Sequence, residues 1–356
     1  LANITSQQIQ ILGWGTTLAV VVQALVLVPV VKKLGIRIRP KFGVHGLGKS
    51  FNLAGWTLIY ILISQLGYLV TVNVATSAAV RSAQEGITDG VGYTPYTFAY
   101  FVMLLPYSIV TISIITAILP HISKLALDGK AEEVKAQLIR AIRLVGVITI
   151  PSAVAFLLFG PLITEVIFMG IPIADARYIG YVLSALSFGL VAFSINLILI
   201  RGFNAFEDTR TQVLSIFIIN LVSVGLSYFF LYSLDNQWVT VGLGVAFSIS
   251  YLVGLWVTLA LLKKHIGLLK LREFAGQHLR LFVASFLVML PLFAIVEYIS
   301  WSEIDLTPLQ RAGQLLVVMI VAFFGFIFAS KAVGVEEISM IRHLGSSITR
   351  RKAGQE

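Results

Sequence analysis

Charge is distributed along this chain in blocks, and that arrangement constrains the fold more than any other feature. Nine stretches carry no Asp, Glu, Lys or Arg: 10–31, 53–80, 95–119, 144–164, 178–200, 211–234, 236–262, 281–296 and 312–330. A helix needs about 20 apolar residues to cross the hydrocarbon core, with a range of about 17–25. Seven of the nine reach that length readily, and flanking polar residues extend the last two. The stretches are apolar all round, whereas barrel strands alternate apolar with polar. Their backbone polar groups must therefore be satisfied within each segment, which a helix does. Composition agrees: 58% of the 356 residues are hydrophobic and 12% charged, against about 25% charged in soluble domains. We read an all-α polytopic membrane protein with nine transmembrane helices.

The basic residues give the spans a direction. With the loop 32–52 placed inside, 23 of the 26 Lys and Arg residues fall on that side, and only Arg81, Arg177 and Arg311 lie outside. Such a bias marks the cytoplasmic face, so the net charge of +9 is not a nucleic-acid signal. Nine spans then place the C-terminus inside. The chain opens Leu1-Ala2-Asn3-Ile4, and no basic region precedes the first span. A signal peptide is a poor reading, and we expect a fragment whose upstream helices are absent.

Two inside loops stand out. In 120–143, Leu127, Val134, Leu138, Ala141 and Ile142 are spaced for one helical face, which predicts an amphipathic helix lying on the cytoplasmic interface. The loop 263–280 is basic as well. His45, His121, His265, His278 and His343 lie in inside loops or at their edges, without metal-ligand spacing, and we assign them no chemistry. Pro106, Pro151 and Pro291 fall within spans, where proline tends to kink a helix. We favour the ordinary frequency of proline in membrane helices over a path-lining role.

No paired carboxylates, nucleophile with base, or glycine-rich phosphate loop occurs, so neither catalysis nor a cofactor is expected. Without cysteine, nothing follows about thiol chemistry. Polar neutral residues cluster in the second span: Ser64, Gln65, Asn73, Thr76 and Ser77. Gln65 and Asn73, eight apart, lie near one face after about two turns. They form either a hydrated cavity wall, hydrogen-bonding a sugar or pyrophosphate head group, or glue between helices, worth about 0.6 kcal/mol per bond.

Four passages carry a family resemblance: Leu12-Gly13-Trp14-Gly15 with Gln23; Leu105-Pro106-Tyr107 through Thr116 to Ser123; Ile150-Pro151-Ser152-Ala153 with Gly160-Pro161-Leu162; and Arg201-Gly202-Phe203-Asn204-Ala205-Phe206-Glu207-Asp208-Thr209-Arg210-Thr211. In order and spacing the chain resembles the MurJ (MviN) group of bacterial lipid II flippases, in the multidrug/oligosaccharidyl-lipid/polysaccharide exporter superfamily. The resemblance implies fourteen helices, in two six-helix lobes plus two more. It makes 1–52 the last helix of the first lobe with a basic loop, and 53–262 the second lobe. Residues 263–335 become a basic loop and the two C-terminal helices, and 336–356 a polar cytoplasmic tail. Five helices would precede the chain.

The implied activity is alternating access in the bacterial cytoplasmic membrane, moving a lipid-linked disaccharide-peptide from the inner to the outer leaflet. Implied partners are that substrate, membrane lipids and cell-wall synthesis proteins at the tail, around a monomer. A transporter of another lipid-linked oligosaccharide or drug, and a non-transporting scaffold, are the alternatives. In many members of the family the eighth helix carries an arginine a few residues before its proline; the matching position here is Phe101. Arg201 and Arg210 either attract an anionic head group or pair with Glu207 and Asp208 to pin a tight turn, and we favour the pairing. The candidate substrate-binding residues are Gln65, Asn73, Ser77, Arg201 and Arg210, with no metal site.

Overall fold

The computed structural model describes residues 5–33, 48–87, 90–269, 272–301 and 306–334, and among them the ordered segments are all helical. The chain divides into two compact units, Leu1–Phe51 and Asn52–Glu356. The first holds helix α1, Ser6–Lys33. Thr5 and Gln8 cap its start reciprocally, each side-chain oxygen accepting the other's backbone N–H at 3.0–3.4 Å. The α1 side chains that are described are exposed, Trp14 and Leu18 among them.

The second unit holds the rest. Helix α2 (Gly48–Gln84) begins at the boundary. Then come α3 (Tyr93–Leu127), α4 (Ala131–Ile167), α5 (Ile173–Ala205) and α6 (Thr209–Ser233). A single 3-10 turn leads into α7 (Val239–Ile266), followed by α8 (Arg272–Trp301) and α9 (Pro308–Ala332). Eight of these helices are long and apolar enough to cross a membrane; in α1 the apolar part is the shorter Gly13–Pro29. We call the end where α2, α4 and α6 begin the basic end, and the opposite one the charge-poor end.

Helix α5 is the core, with Leu183, Leu186, Leu190, Ile198 and Phe203 fully buried or nearly so. It lies along α4 and α7. Lipid offers no hydrophobic drive for helices to pair, so close backbone approach has to supply the packing. Gly180 makes this possible: a Cβ there would sit 2.3 Å from Pro161 Cα of α4. On the other side Ser248 Oγ of α7 donates to Ala185 O at 2.7 Å. Helices α8 and α9 pair with each other and rest on α4, through Val147, Ile150, Leu281 and Phe326.

One expectation is corrected. Residues 120–143 do not form a separate interfacial helix: α3 continues to Leu127 and α4 starts at Ala131. Val134, Leu138, Ala141 and Ile142 are buried with Phe203, Leu262 and Ile266, while Leu127 is exposed. The apolar face is real, but neighbouring helices cover it. The prolines also differ among themselves. Pro151 and Pro291 lie inside unbroken α-helix, whereas Pro106 is followed by a π-helical turn, Tyr107–Thr111. A missing proline N–H and a widened turn are recognised ways to bend a helix, and π turns recur at functional sites.

Candidate functional site

The second unit holds a half-open cavity of about 400 Å³ between α2, α3, α6 and α7. Its wall is phenolic. Tyr93, Tyr96 and Tyr100 follow each other at helical spacing on α3, Tyr68 faces them from α2, and Tyr251 from α7. The Tyr68 and Tyr93 hydroxyls share a 2.5 Å hydrogen bond. Thr71, Thr97, Asn220, Ser223 and Ser250 add further neutral polar groups, and no charged side chain lines the space. Gly67 lets α2 close on α6, since a Cβ there would overlap Asn220 Oδ1 at 1.8 Å. Phe101 lies on the same wall, so the position where an arginine was expected adds an apolar ring. Chemically the cavity offers hydroxyl donors and acceptors beside aromatic faces, and no fixed charge.

Of the sequence candidates, Gln65 is exposed and stands off this cavity. Asn73 and Ser77 line a separate cleft of about 320 Å³ with Thr76, Arg81 and Gln84, near the charge-poor end of α2. Gln65 and Asn73 thus do not share a site. Eight residues overshoot two turns of a 3.6-residue helix by about 80° and separate the pair by about 12 Å along the axis. The face that meets the cavity is Gly67, Tyr68 and Thr71 instead. A signal for the phenolic wall was present in the sequence, as Tyr93, Tyr96, Tyr100 and Tyr107 repeat at one-face spacing.

The expected pairing of Arg201 and Arg210 with the turn acids is corrected for Asp208. Its carboxylate accepts from Lys264 Nζ at 2.5 Å and His265 Nε2 at 2.7 Å, both on α7. It also caps α6 by accepting from Thr211 N at 3.1 Å. Burial of Asp208 works to raise its pKa, but the hydrogen bonds from Lys264, His265 and Thr211 outweigh it and hold the carboxyl well below the usual range. His265 also stacks on Phe206, 4.7 Å between ring centres. The chain reverses at Glu207, which adopts a left-handed backbone with φ of 55°. Arg210 lies over the Trp56 ring, 5.6 Å from its centre. Arg201 is half-buried near the end of α5, and its Nε has no hydrogen-bond partner among the described residues.

Sequence reading missed the ion cluster at the charge-poor end. Glu165 counted as the first loop residue after a span, yet α4 runs on to Ile167 and buries it. Its carboxylate accepts from Arg177 Nε at 2.8 Å and Arg311 Nη1 at 2.5 Å. Arg311 is presented by the first turn of α9, whose start is fixed by a reciprocal Thr307–Gln310 capping box. The third arginine of the charge-poor end, Arg81, lies 5.5 Å from the centre of the Tyr232 ring and donates to Leu231 O at 3.4 Å. Each of the three exceptions to the charge bias is thereby held by a specific partner.

Comparison with known proteins places this arrangement in a family. A family model described as "Lipid II flippase MurJ" matches residues 1–310. The "Probable lipid II flippase MurJ" of Rhizobium meliloti (strain 1021) is 26% identical over 364 residues, covering 97% of this chain and 64% of that protein. The "Lipid II flippase MurJ" of Burkholderia cenocepacia is 24% identical, covering 89% and 61%. A solved structure titled "Lipid II flippase MurJ, inward closed conformation" superposes with a TM-score of 0.57 at 19% identity, over 83% of this chain and 57% of that one. That likeness speaks for the fold. The chain spans a little over three-fifths of the length of these relatives. By the family match along most of its length and the helical fold it shares, the chain belongs to the lipid II flippase MurJ family.

Proposed function

We propose that the protein to which this chain belongs moves lipid-linked peptidoglycan precursor from the inner to the outer leaflet of the bacterial cytoplasmic membrane. The observation that carries this is the family match over residues 1–310. In this reading the chain supplies the second lobe, and transport proceeds by alternating access against helices upstream. The phenolic cavity supports it: neutral hydroxyl donors and aromatic faces suit the sugars of a lipid-linked disaccharide, and burying unpartnered hydroxyls would be costly without such a ligand or water. The π turn after Pro106, on the cavity's own helix, gives α3 a place to bend.

Depletion in cells, read by the accessibility of lipid II in the outer leaflet, tests the activity. Precursor that still reaches the outer leaflet without the protein would sink the proposal. Orientation is tested separately. We propose that the basic end and the C-terminus face the cytoplasm, and none of these 356 residues is a cysteine that would compete with an introduced one. Asp128→Cys should resist an impermeant maleimide in intact spheroplasts, while Asp235→Cys should react. The reverse pattern would overturn the orientation.

A further inference from the structure

The polar groups around the phenolic cavity are in two different states. Some are already spent. Thr71 and Thr97 donate to carbonyls one turn back on their own helices, at 3.2 and 3.0 Å, and Ser250 does so at 2.5 Å. Tyr68 and Tyr93 bond to each other. The hydroxyls of Tyr96, Tyr100 and Tyr251 line the same space without a hydrogen-bond partner among the described residues. Asn220 is held in one orientation. A backbone carbonyl only accepts, so the Asn220 side-chain atom 2.9 Å from Ile216 O is the amide nitrogen. The amide oxygen is thereby turned towards α2, into the gap left at Gly67, where a Cβ would come within 1.8 Å of it. Both residues line the cavity, and Asn220 Oδ1 has no donor among the described residues. The open groups are thus three phenolic hydroxyls and one fixed acceptor.

These groups describe a ligand. No charged side chain lines the cavity, and a charge brought in without a counter-ion would be costly, so the group that enters is neutral. It carries a donor for Asn220 and oxygens for the phenols. It also has an apolar face, because Tyr100, Phe247 and Tyr251 form a continuous aromatic wall, with neighbouring ring centres 5.8 and 4.6 Å apart. A pyranose has such a face of C–H bonds, which the negative face of an aromatic ring attracts. An acetamido substituent completes the match. Its N–H only donates, as Asn220 Oδ1 requires, and its carbonyl only accepts, which suits a phenolic O–H. A volume of about 400 Å³ is on the scale of a small-ligand site.

We propose that the phenolic cavity binds an N-acetylated pyranose, and that Asn220 sets its specificity by accepting the acetamido N–H. Assigning that sugar to the lipid-linked substrate rests on the flippase reading; the sugar site itself does not.

The test is ligand-observed NMR on the full-length protein in a sugar-free zwitterionic detergent. The probes are diacetylchitobiose and cellobiose, one disaccharide skeleton carrying acetamido groups or hydroxyls at the same ring position. Wild type should bind the acetylated probe about tenfold more tightly than cellobiose. Asn220→Leu should weaken the acetylated probe about tenfold and cellobiose much less. Tyr100→Phe and Tyr251→Phe keep the rings and should each cost about threefold; they keep the test valid should Asn220→Leu fail to fold. Equal affinity of wild type for the two probes, no binding of the acetylated one, or undiminished binding by the variants would overturn the site. Depletion in cells separates this result from the flippase reading. If precursor still reaches the outer leaflet without the protein, while the acetylated probe binds through Asn220, the flippase reading sinks and the site stands. If depletion blocks precursor, while Asn220→Leu binds both probes as wild type does, the site falls and the flippase reading stands.

Discussion

The charge-poor end and the basic end of the second unit hold arginine in opposite ways. At the first, Glu165 is buried and takes one guanidinium on each oxygen, joining α4, α5 and α9 into a locked corner. At the second, Asp208 is committed to Lys264 and His265, while Arg210 lies on a tryptophan face and the Nε of half-buried Arg201 has no hydrogen-bond partner among the described residues. One end gathers two arginines on a single buried carboxylate, and the other gives its carboxylate to a lysine and a histidine. Charge in a membrane bundle thus does two jobs that a count of residues does not separate. A buried ion cluster adds rigidity, because removing one member strands the others. A charge without such a buried partner adds little to stability.

The contrast can be broken at its strongest point first. Glu165→Gln should destabilise the protein by about 3 kcal/mol, the low end for a buried pair because Arg177 is partly exposed, seen as a lowered melting temperature in detergent. A melting point equal to wild type would mean that the corner is not locked. Asp208→Asn should cost about 1.5 kcal/mol by weakening charged hydrogen bonds and the α6 cap. Its pH dependence has a definite sign. The Asp208 carboxyl is held below its ordinary range, so its stabilisation is complete above an unfolded pKa of about 4 and is lost as the pH falls through the lowered folded value. The gap in melting temperature between wild type and Asp208→Asn should therefore be constant near neutrality and shrink below about pH 4. A gap that grew on acidification would contradict the assignment.

Smaller effects sharpen the comparison. Trp56→Leu should cost about 0.5–1 kcal/mol through the lost cation–π contact with Arg210, and high salt should not abolish the difference. Arg201→Gln is the sharpest case. It should change stability by roughly zero, or raise it slightly, since it removes a half-buried charge that has no ion pair among the described residues. A drop comparable to that of Glu165→Gln would mean that Arg201 is a structural element like the arginines at the other end.

Much of the architecture was legible because a bilayer acts on the chain one segment at a time. The charge-free criterion located every helix described here. It misjudged their ends, starting α4 at 144 where the helix begins at Ala131 and ending it before Glu165 where it continues to Ile167. A charge ends a span only if it stays unsatisfied, and Glu165 is neutralised by arginines from two other helices. The same limit hid the cavity. Gln65 and Asn73 drew notice as amides in an apolar run, while the wall is built from tyrosines on α2, α3 and α7 that belong together only after packing.

The sequence by itself determined that the chain is a bundle of apolar helices with its positive charge gathered at one end, because insertion into lipid depends on local hydrophobicity and on the basic residues beside each span. Tertiary structure decided which of those charges is spent on the fold. Glu165 and Arg311 meet across 146 residues of sequence, and Asp208 is met by Lys264 and His265 of α7. Both outcomes depend on distances between helices, which no local property of the chain specifies.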